Sequence, residues 1–351
     1  MSLTKDIRYK IFPQLIEYDQ MGSGIYTPYA MLSGPISYKS DKINTDKFGF
    51  RDTVLNNIKL NVSEIEKYDE VNLILGGSTT FGVGAKSDST TISSLLSKQT
   101  NKCWLNLGIR GCNSFTEYIQ LIRFISKAKK VNNVIFFSGM NDLYLRLVYK
   151  NIYNIDPGFG TKFSDISSYH PFKQSLALIL SKIYSIEPKN IINKKIIDMF
   201  LRPNSNINPE ANNKELSFED KMVEYFKLYE RNFILYTGLS YSLNCNIMFI
   251  NQPLIFWTNK KITDKEKSVL EYLNELQKND HWNDVRKMLI KKGVKDNFIK
   301  NFKKLSDKFK IKFFDSNEFF DSNESTCFVD SIHLSDDGNK VIADNIIKLL
   351  K

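Results

Sequence analysis

Ser78 stands in the run VNLILGGSTTFGVG, residues 71–84, directly after a glycine pair. A serine hydroxyl becomes a useful nucleophile only when a base takes its proton. Imidazole, with an unperturbed pKa of about 6.5, is the usual base, and it needs a partner to fix its tautomer. The chain has three histidines. His170 follows an irregular stretch and precedes Pro171, and His281 sits beside Trp282 in lysine-rich sequence. His333 is different, because Asp330 lies three residues earlier in VDSIHL, where one turn of backbone aims its carboxylate at the ring. Ser78, His333 and Asp330 are therefore the candidate nucleophile, base and orienting acid. Attack on an ester also needs donors for the developing oxyanion. The backbone N–H groups of Ser78 and Gly111 and the side-chain amide of Asn141 are available for it. Losing one such donor typically costs about 3–4 kcal/mol of transition-state stabilisation.

These residues work together only if the elements around them bring them to one place. Residues 71–75 are a short apolar run, suited to a strand buried on both faces. Gly76 and Gly77 break it, and a helix is expected over 86–97 with Ser89 or Thr90 as its cap. A second strand, 103–107, ends in Gly108-Ile109-Arg110-Gly111. A helix over 114–130 then carries Tyr118, Leu121, Ile122 and Ile125, and a third strand, 131–137, stops at Ser138-Gly139-Met140-Asn141-Asp142. Residues 246–251, followed by Gln252-Pro253, and 310–314 supply the fourth and fifth strands, and a closing helix over 338–349 carries Ile342, Ile346, Ile347 and Leu350. Strands alternating with helices predict an α/β fold whose parallel sheet is wound by right-handed crossovers. Such sheets place ligands at the carboxyl edge, where Ser78, Gly111, Asn141 and His333 would all lie. Each residue also has an ordinary structural reading: Asn141-Asp142 as a helix cap, Asp330 as a turn cap, Asp336-Asp337-Gly338 as a helix start. Their joint appearance at one edge favours the chemical reading.

The whole chain, 1–351, reads as one domain. Residues 1–65 form an N-terminal cover, 66–142 and 240–351 the core, and 143–239 and 258–309 helical insertions. The cover includes INTDKFGFRD at 43–52, whose Arg51 reads as an exposed, structural residue. The first insertion is expected to hold helices over 171–186 and 190–201 and a mobile polar run at 204–214, before Ser217 opens a long helix with Glu219 and Asp220 in its first turn. The second is lysine-rich, with Leu270, Leu273 and Leu276 on one face.

Composition narrows the function classes. The formal net charge is +10, but the excess is scattered lysine without arginine clusters, which argues for a soluble basic surface and against nucleic acid. Cys103, Cys112, Cys245 and Cys327 have no paired spacing and read as reduced core thiols. The charged start, broken by Pro13, is no signal peptide, and no apolar run reaches membrane-spanning length, so the cytoplasm is the expected location. No cofactor is expected, and no His or carboxylate cluster has metal-ligand spacing apart from the Asp330–His333 pair.

The blocks GGSTTFGVG, LNLGIRG, SGMND and DSIHLSDDGN resemble, in order, the four signature blocks of the SGNH (GDSL-like) hydrolases. The resemblance covers about 70–140 and 240–350. It implies a three-layer α/β/α fold with a mostly parallel, five-stranded, flavodoxin-like sheet. It implies Ser78 as nucleophile, Asp330 and His333 as its triad partners, and Gly111, rather than its rival Gly108, as oxyanion donor with Asn141 and the Ser78 N–H. The sequence departs from the pattern at Gly77, where the family usually carries aspartate. The implied reaction is acyl transfer through a serine ester. Water as acceptor makes an esterase or deacetylase, a sugar hydroxyl makes an O-acyltransferase, and a protein that kept only the fold would be a non-catalytic glycan binder. The GGST turn, the upstream GFRD and the QP after the fourth strand resemble members associated with bacterial surface glycans, so an O-acetyl ester of a carbohydrate is the expected substrate.

Overall fold

A computed structural model describes residues 6–21, 25–27, 31–148, 157–158, 161–162, 216–276 and 281–351. His170, the expected helices over 171–186 and 190–201 and the polar run 204–214 lie outside the described residues. Five strands form the central sheet: β1 (Val71–Gly76), β2 (Trp104–Gly108), β3 (Val131–Ser138), β4 (Asn246–Asn251) and β5 (Lys312–Asp315). Every neighbouring pair is parallel, in the order β2-β1-β3-β4-β5. The chain runs outward from β1 to β2 and then returns to β3. The switch point, where the crossovers diverge and leave a crevice, therefore lies between the carboxyl ends of β1 and β3. The β5 strand begins two residues later than expected because Lys310 adopts a left-handed conformation, φ 59°, and caps the preceding helix.

Alternation along the strands feeds two helical layers. Leu73, Leu75, Leu105, Leu107, Val134, Phe136 and Phe249 point to one core. The residues between them, Ile74, Trp104, Ile135, Phe137, Met248 and Ile250, point to the other. The second layer consists of α4 (Ile92–Thr100) and α11 (Asp336–Leu350), which bury Ile92, Leu96, Ile342, Ala343 and Ile346 there. The first layer holds α5 (Ser114–Ile125), α6 (Met140–Val148), α7 (Phe218–Leu243) and α10 (Val294–Phe309). The sheet is thus the middle of three layers, as expected. All of α10 and most of α7 lie inside the stretches read as insertions, yet their rings pack with the sheet: Tyr229, Phe233 and Phe302 all approach Phe249 within 6 Å, centroid to centroid.

Several helix details correct the sequence reading. Thr91, not Ser89 or Thr90, caps α4, because 88–90 is spent on a separate turn of 3-10 helix. The buried face of α5 is Glu117, Gln120, Leu121 and Phe124, so Ile122 is left 47% exposed and the helix stops at Ile125. The lysine-rich addition resolves into α8 (Asp264–Leu276), α9 (His281–Leu289) and α10, and α8 buries Glu266 and Val269 while Leu276 is 50% exposed. At the other end of the chain, α1 (Ile7–Ile11), α2 (Leu15–Gln20) and α3 (Ser78–Phe81) meet in a third cluster, where Phe12, Leu15 and Tyr18 pack with Phe81, Val83 and Val329.

Candidate active site

The nucleophile turn follows β1 without a gap. Gly77 caps α3, so Ser78 is the first helical residue and its N–H has no intrahelical acceptor. Gly82, in the left-handed region at φ 92°, ends the helix and returns its N–H to the carbonyls of Ser78 and Thr79. The hydroxyl of Ser78 lies 2.7 Å from His333 Nε2, and Asp330 Oδ2 lies 2.6 Å from His333 Nδ1. The three candidate residues, separated by 255 positions at their widest gap in the chain, form one hydrogen-bonded line.

A tight loop makes this possible at the histidine end. Phe328 and Leu334 pair across it, Val329 N–H donates to the His333 carbonyl at 2.9 Å, and Ser335 N–H donates to the Cys327 carbonyl at 2.9 Å. Its root is tied to α8, where Glu266 accepts from the N–H groups of Cys327 and Phe328 and forms a fully buried ion pair with Lys260 at 2.6 Å. Inside the loop, Asp330 Oδ1 accepts from the N–H of Ile332 and of His333, each at 2.7 Å. Burial alone would raise the Asp330 pKa. The charge of His333 and the hydrogen bonds from its ring, its N–H and that of Ile332 outweigh burial and bring it to about 2. An ionised carboxylate on Nδ1 keeps the proton there. The lone pair on Nε2 is then free to accept the Ser78 O–H.

Of the two candidate glycines after β2, the structure separates the roles. The Gly108 N–H is taken by the Asn106 side chain at 2.9 Å, and a Cβ on Gly108 would sit 2.3 Å from Phe81 N. Gly108 is there for close approach. Gly111 lies three residues further on, at φ 75°, and its N–H has no acceptor among the described residues. The same holds for the Ser78 N–H. Asn141, in the first turn of α6, donates one amide proton to the Cys112 carbonyl at 2.6 Å, which leaves the second N–H of the amide for a ligand. That amide lies against the nucleophile turn, since a Cβ on Gly77 would come within 2.6 Å of Asn141 Nδ2. Glycine at 77, where the resembled pattern has aspartate, thus leaves room for the Asn141 amide.

Behind this surface lies a cluster of buried polar side chains that sequence reasoning missed. Glu117 on α5 is buried, accepts from Ser138 Oγ at 2.6 Å, and keeps Oε2 without a hydrogen-bond partner among the described residues. Burial, reinforced by nearby Asp142, pushes its pKa up to about 8. Asp142, also buried, accepts from the N–H and hydroxyl of Ser114 and from Tyr229 OH. It thereby fastens the start of α5 to the helix that carries Asn141. The signal for Glu117 was in the phase of the helix, three, four and seven residues before Gln120, Leu121 and Phe124. Arg51, expected to be exposed, is instead fully buried, and its Nε pairs with Asp88 at 2.8 Å. His281 lies exposed at the start of α9. Among the described residues there is no group of three or more His, Cys, Asp or Glu placed to hold a metal ion, and no helix is long and apolar enough to cross a membrane.

No protein-family model matches the chain, and no curated protein matches it. Solved structures do. An acetyl xylan esterase superposes with a TM-score of 0.42 at 13% identity, covering 80% of this chain and 100% of its own. A member of the lipolytic G-D-S-L family from Veillonella parvula superposes with a TM-score of 0.36 at 11% identity, covering 80% of this chain and 97% of its own. At these values the likeness adds no weight to a functional reading, which rests on the geometry of the site.

Proposed function

We propose that this protein is a serine esterase of the SGNH type that removes an O-acyl group, acetyl above all, from a carbohydrate ester. The observation that carries the reading is the unbroken line from Ser78 Oγ through the His333 ring to Asp330, with contacts of 2.7 and 2.6 Å. Ser78 Oγ attacks the ester carbonyl while its proton passes to His333 Nε2. The resulting oxyanion is received by the N–H groups of Ser78 and Gly111 and by the Asn141 amide. His333 returns the proton to the departing sugar oxygen as the C–O bond breaks, leaving acetyl on Ser78. Water, deprotonated by the same imidazole, then attacks the acyl-enzyme, and His333 returns that proton to Ser78 Oγ as acetate leaves. Asp330 stays ionised throughout and stabilises the imidazolium.

A binding module on this fold has no use for a base aligned on a hydroxyl, so the triad geometry disfavours a glycan-binding role. A sugar hydroxyl in place of water would turn the same steps into O-acetyl transfer. The four unpaired cysteines fit a reducing compartment, and we place the reaction in the cytoplasm. The test is hydrolysis of p-nitrophenyl acetate by the wild-type protein and by Ser78→Ala. Turnover that falls to background in the variant is expected; equal rates would remove Ser78 as nucleophile. Acetate release from an O-acetylated glycan, with and without an added sugar acceptor, then separates hydrolysis from transfer.

A further inference from the structure

The loop after the nucleophile helix, residues 82–86, touches both halves of the triad. On one side the Ser78 carbonyl accepts from the N–H groups of Gly82 and Val83, each at 3.0 Å. On the other, Gly84 lies so close to the histidine loop that a Cβ on it would sit 2.3 Å from the Leu334 carbonyl oxygen and 2.9 Å from a methyl of Val329. The Lys86 N–H donates to Asp336 at 2.9 Å. A displacement of this loop therefore changes the separation between Ser78 and His333.

The N-terminal cover grips this loop from outside the core. The Tyr18 hydroxyl, on α2, faces the carbonyls of Gly82 and Ala85 at 2.7 and 2.8 Å and accepts from Arg51 Nη1 at 2.6 Å. Arg51 Nη1 also donates to the Gly82 carbonyl at 2.9 Å. Its other nitrogens hold Asp88 at 2.8 Å and the Lys42 carbonyl at 2.9 Å. Gln14 donates to the Gly84 carbonyl at 2.8 Å. The apolar backing is continuous with this grip, because Leu15 and Tyr18 pack in one cluster with Phe81 and Val83 of the nucleophile turn and Val329 of the histidine loop. Placing a guanidinium, a phenol and an amide on the backbone carbonyls of Gly82, Gly84 and Ala85 fixes a loop more tightly than apolar packing alone, since each bond has a direction.

We propose that Tyr18 and Arg51 are positioning residues for the reaction: through the 82–86 loop the N-terminal cover sets the Ser78–His333 contact. This rests on the esterase reading above, and it assigns a task to the GFRD segment that sequence alone left as structural. Misplacement of a reacting group by about 1 Å can cost up to a hundredfold in rate, whereas the binding of a small ester is little affected. The expected signature is thus a loss in kcat without a matching rise in KM.

The experiment compares Tyr18→Phe, which removes one hydroxyl and keeps the ring, with Arg51→Lys and Arg51→Gln. Val131→Ala, at the amino end of β3 and away from the carboxyl edge, is the control for lost stability. For each protein, kcat and KM on p-nitrophenyl acetate, the rate of Ser78 labelling by a fluorophosphonate and thermal unfolding are measured at a temperature where all are folded. Tyr18→Phe is expected to lower kcat and the labelling rate together by about tenfold, with KM within about twofold. Arg51→Gln should lose more than Arg51→Lys, which keeps the charge. Val131→Ala should lower the melting temperature and leave both rates within about twofold of wild type. Should the Arg51 variants fail to fold, Tyr18→Phe alone decides. Full kcat and labelling in folded Tyr18→Phe, or an equal rate loss in Val131→Ala, overturns the proposal. If wild type neither turns over nor labels, the esterase reading itself has failed; an active wild type with a silent Ser78→Ala and undisturbed Tyr18→Phe sinks only the positioning role.

Discussion

Two carboxylates stand at the same edge of this sheet, and their surroundings drive them in opposite directions. Asp330 has a cationisable ring and two backbone N–H groups on its oxygens, and its pKa is lowered to about 2. Glu117 has one serine hydroxyl, a bare oxygen and a second buried acid nearby, and its pKa is raised to about 8. The difference lies in the partners, because burial raises both. The first region is built to hold charge beside the Ser78–His333 contact. The second is built to hold a proton, since a neutral Glu117 avoids repelling Asp142, whose carboxylate ties α5 to α6 beneath Asn141. One edge thus contains a reactive line of side chains and, behind it, a support that works by staying uncharged.

The sharpest way to break the first region is Asp330→Asn. It keeps the shape but removes the charge that fixes the His333 tautomer, and kcat on p-nitrophenyl acetate is expected to fall by about 10³–10⁴-fold. The linkage follows the same assignment. A folded-state pKa below the unfolded one means that Asp330 stabilises the protein above about pH 4, a contribution lost as pH falls through about 2. That contribution is worth about 2 kcal/mol, and Asp330→Asn should flatten the acid limb of the stability curve between those values. Asn141→Ala comes next. With one oxyanion donor gone, a loss of about 10²–10³ in kcat is expected with little change in KM. An unchanged kcat would mean that the amide serves only the Cys112 carbonyl.

Glu117→Gln tests the second region through stability. A folded pKa raised to about 8 means that folding disfavours the ionised form. Stability is then highest below about pH 4.5, the usual value for this side chain, declines as pH rises towards 8, and levels off above it. Gln keeps the hydrogen-bonding shape and cannot ionise. Its unfolding free energy should match that of wild type near pH 5 and exceed it increasingly up to pH 8, by a few kcal/mol at most. Parallel curves across that range would show that Glu117 is ionised in the folded protein and that the contrast with Asp330 is wrong.

The residues proposed to touch substrate were legible in the sequence, and those that hold them in place were largely not. Ser78, Asn141, Asp330 and His333 each sit in a short block whose local spacing already suggests a role, and the alternation of strands and helices put those blocks on one edge. Asp330 and His333 are close in sequence, so their pairing needed only a turn. Glu117 was visible only in the phase of its helix, which the apolar stripe drawn through Ile122 misread by one position. Tyr18 and Arg51 meet across 33 residues and reach carbonyls more than 60 and 30 residues further along. No periodicity records which backbone carbonyl a distant side chain will find. The fifth strand and α4 were misjudged at their ends for a related reason: the left-handed Lys310 and the extra turn before Thr91 are settled by capping, which varies from helix to helix.

Cys112 joins the two regions, and its substitution should have the smallest effect. Its carbonyl holds the Asn141 amide, while its thiol, pushed well above the usual range by burial, lies 3.1 Å from the Gly76 carbonyl and 4.0 Å from Glu117. Cys112→Ala keeps the carbonyl and removes only the weak sulfur contacts, so a stability loss of about 1 kcal/mol and a kcat within about threefold of wild type are expected. In the native wild type the thiol should resist iodoacetamide at pH 8, because a neutral, buried sulfur is a poor nucleophile. Rapid alkylation there, with activity lost in step, would show that the buried cluster behind the proposed oxyanion donors opens to solvent. The uncharged support assigned to Glu117 could not then persist, and the two carboxylates would differ less than their surroundings indicate.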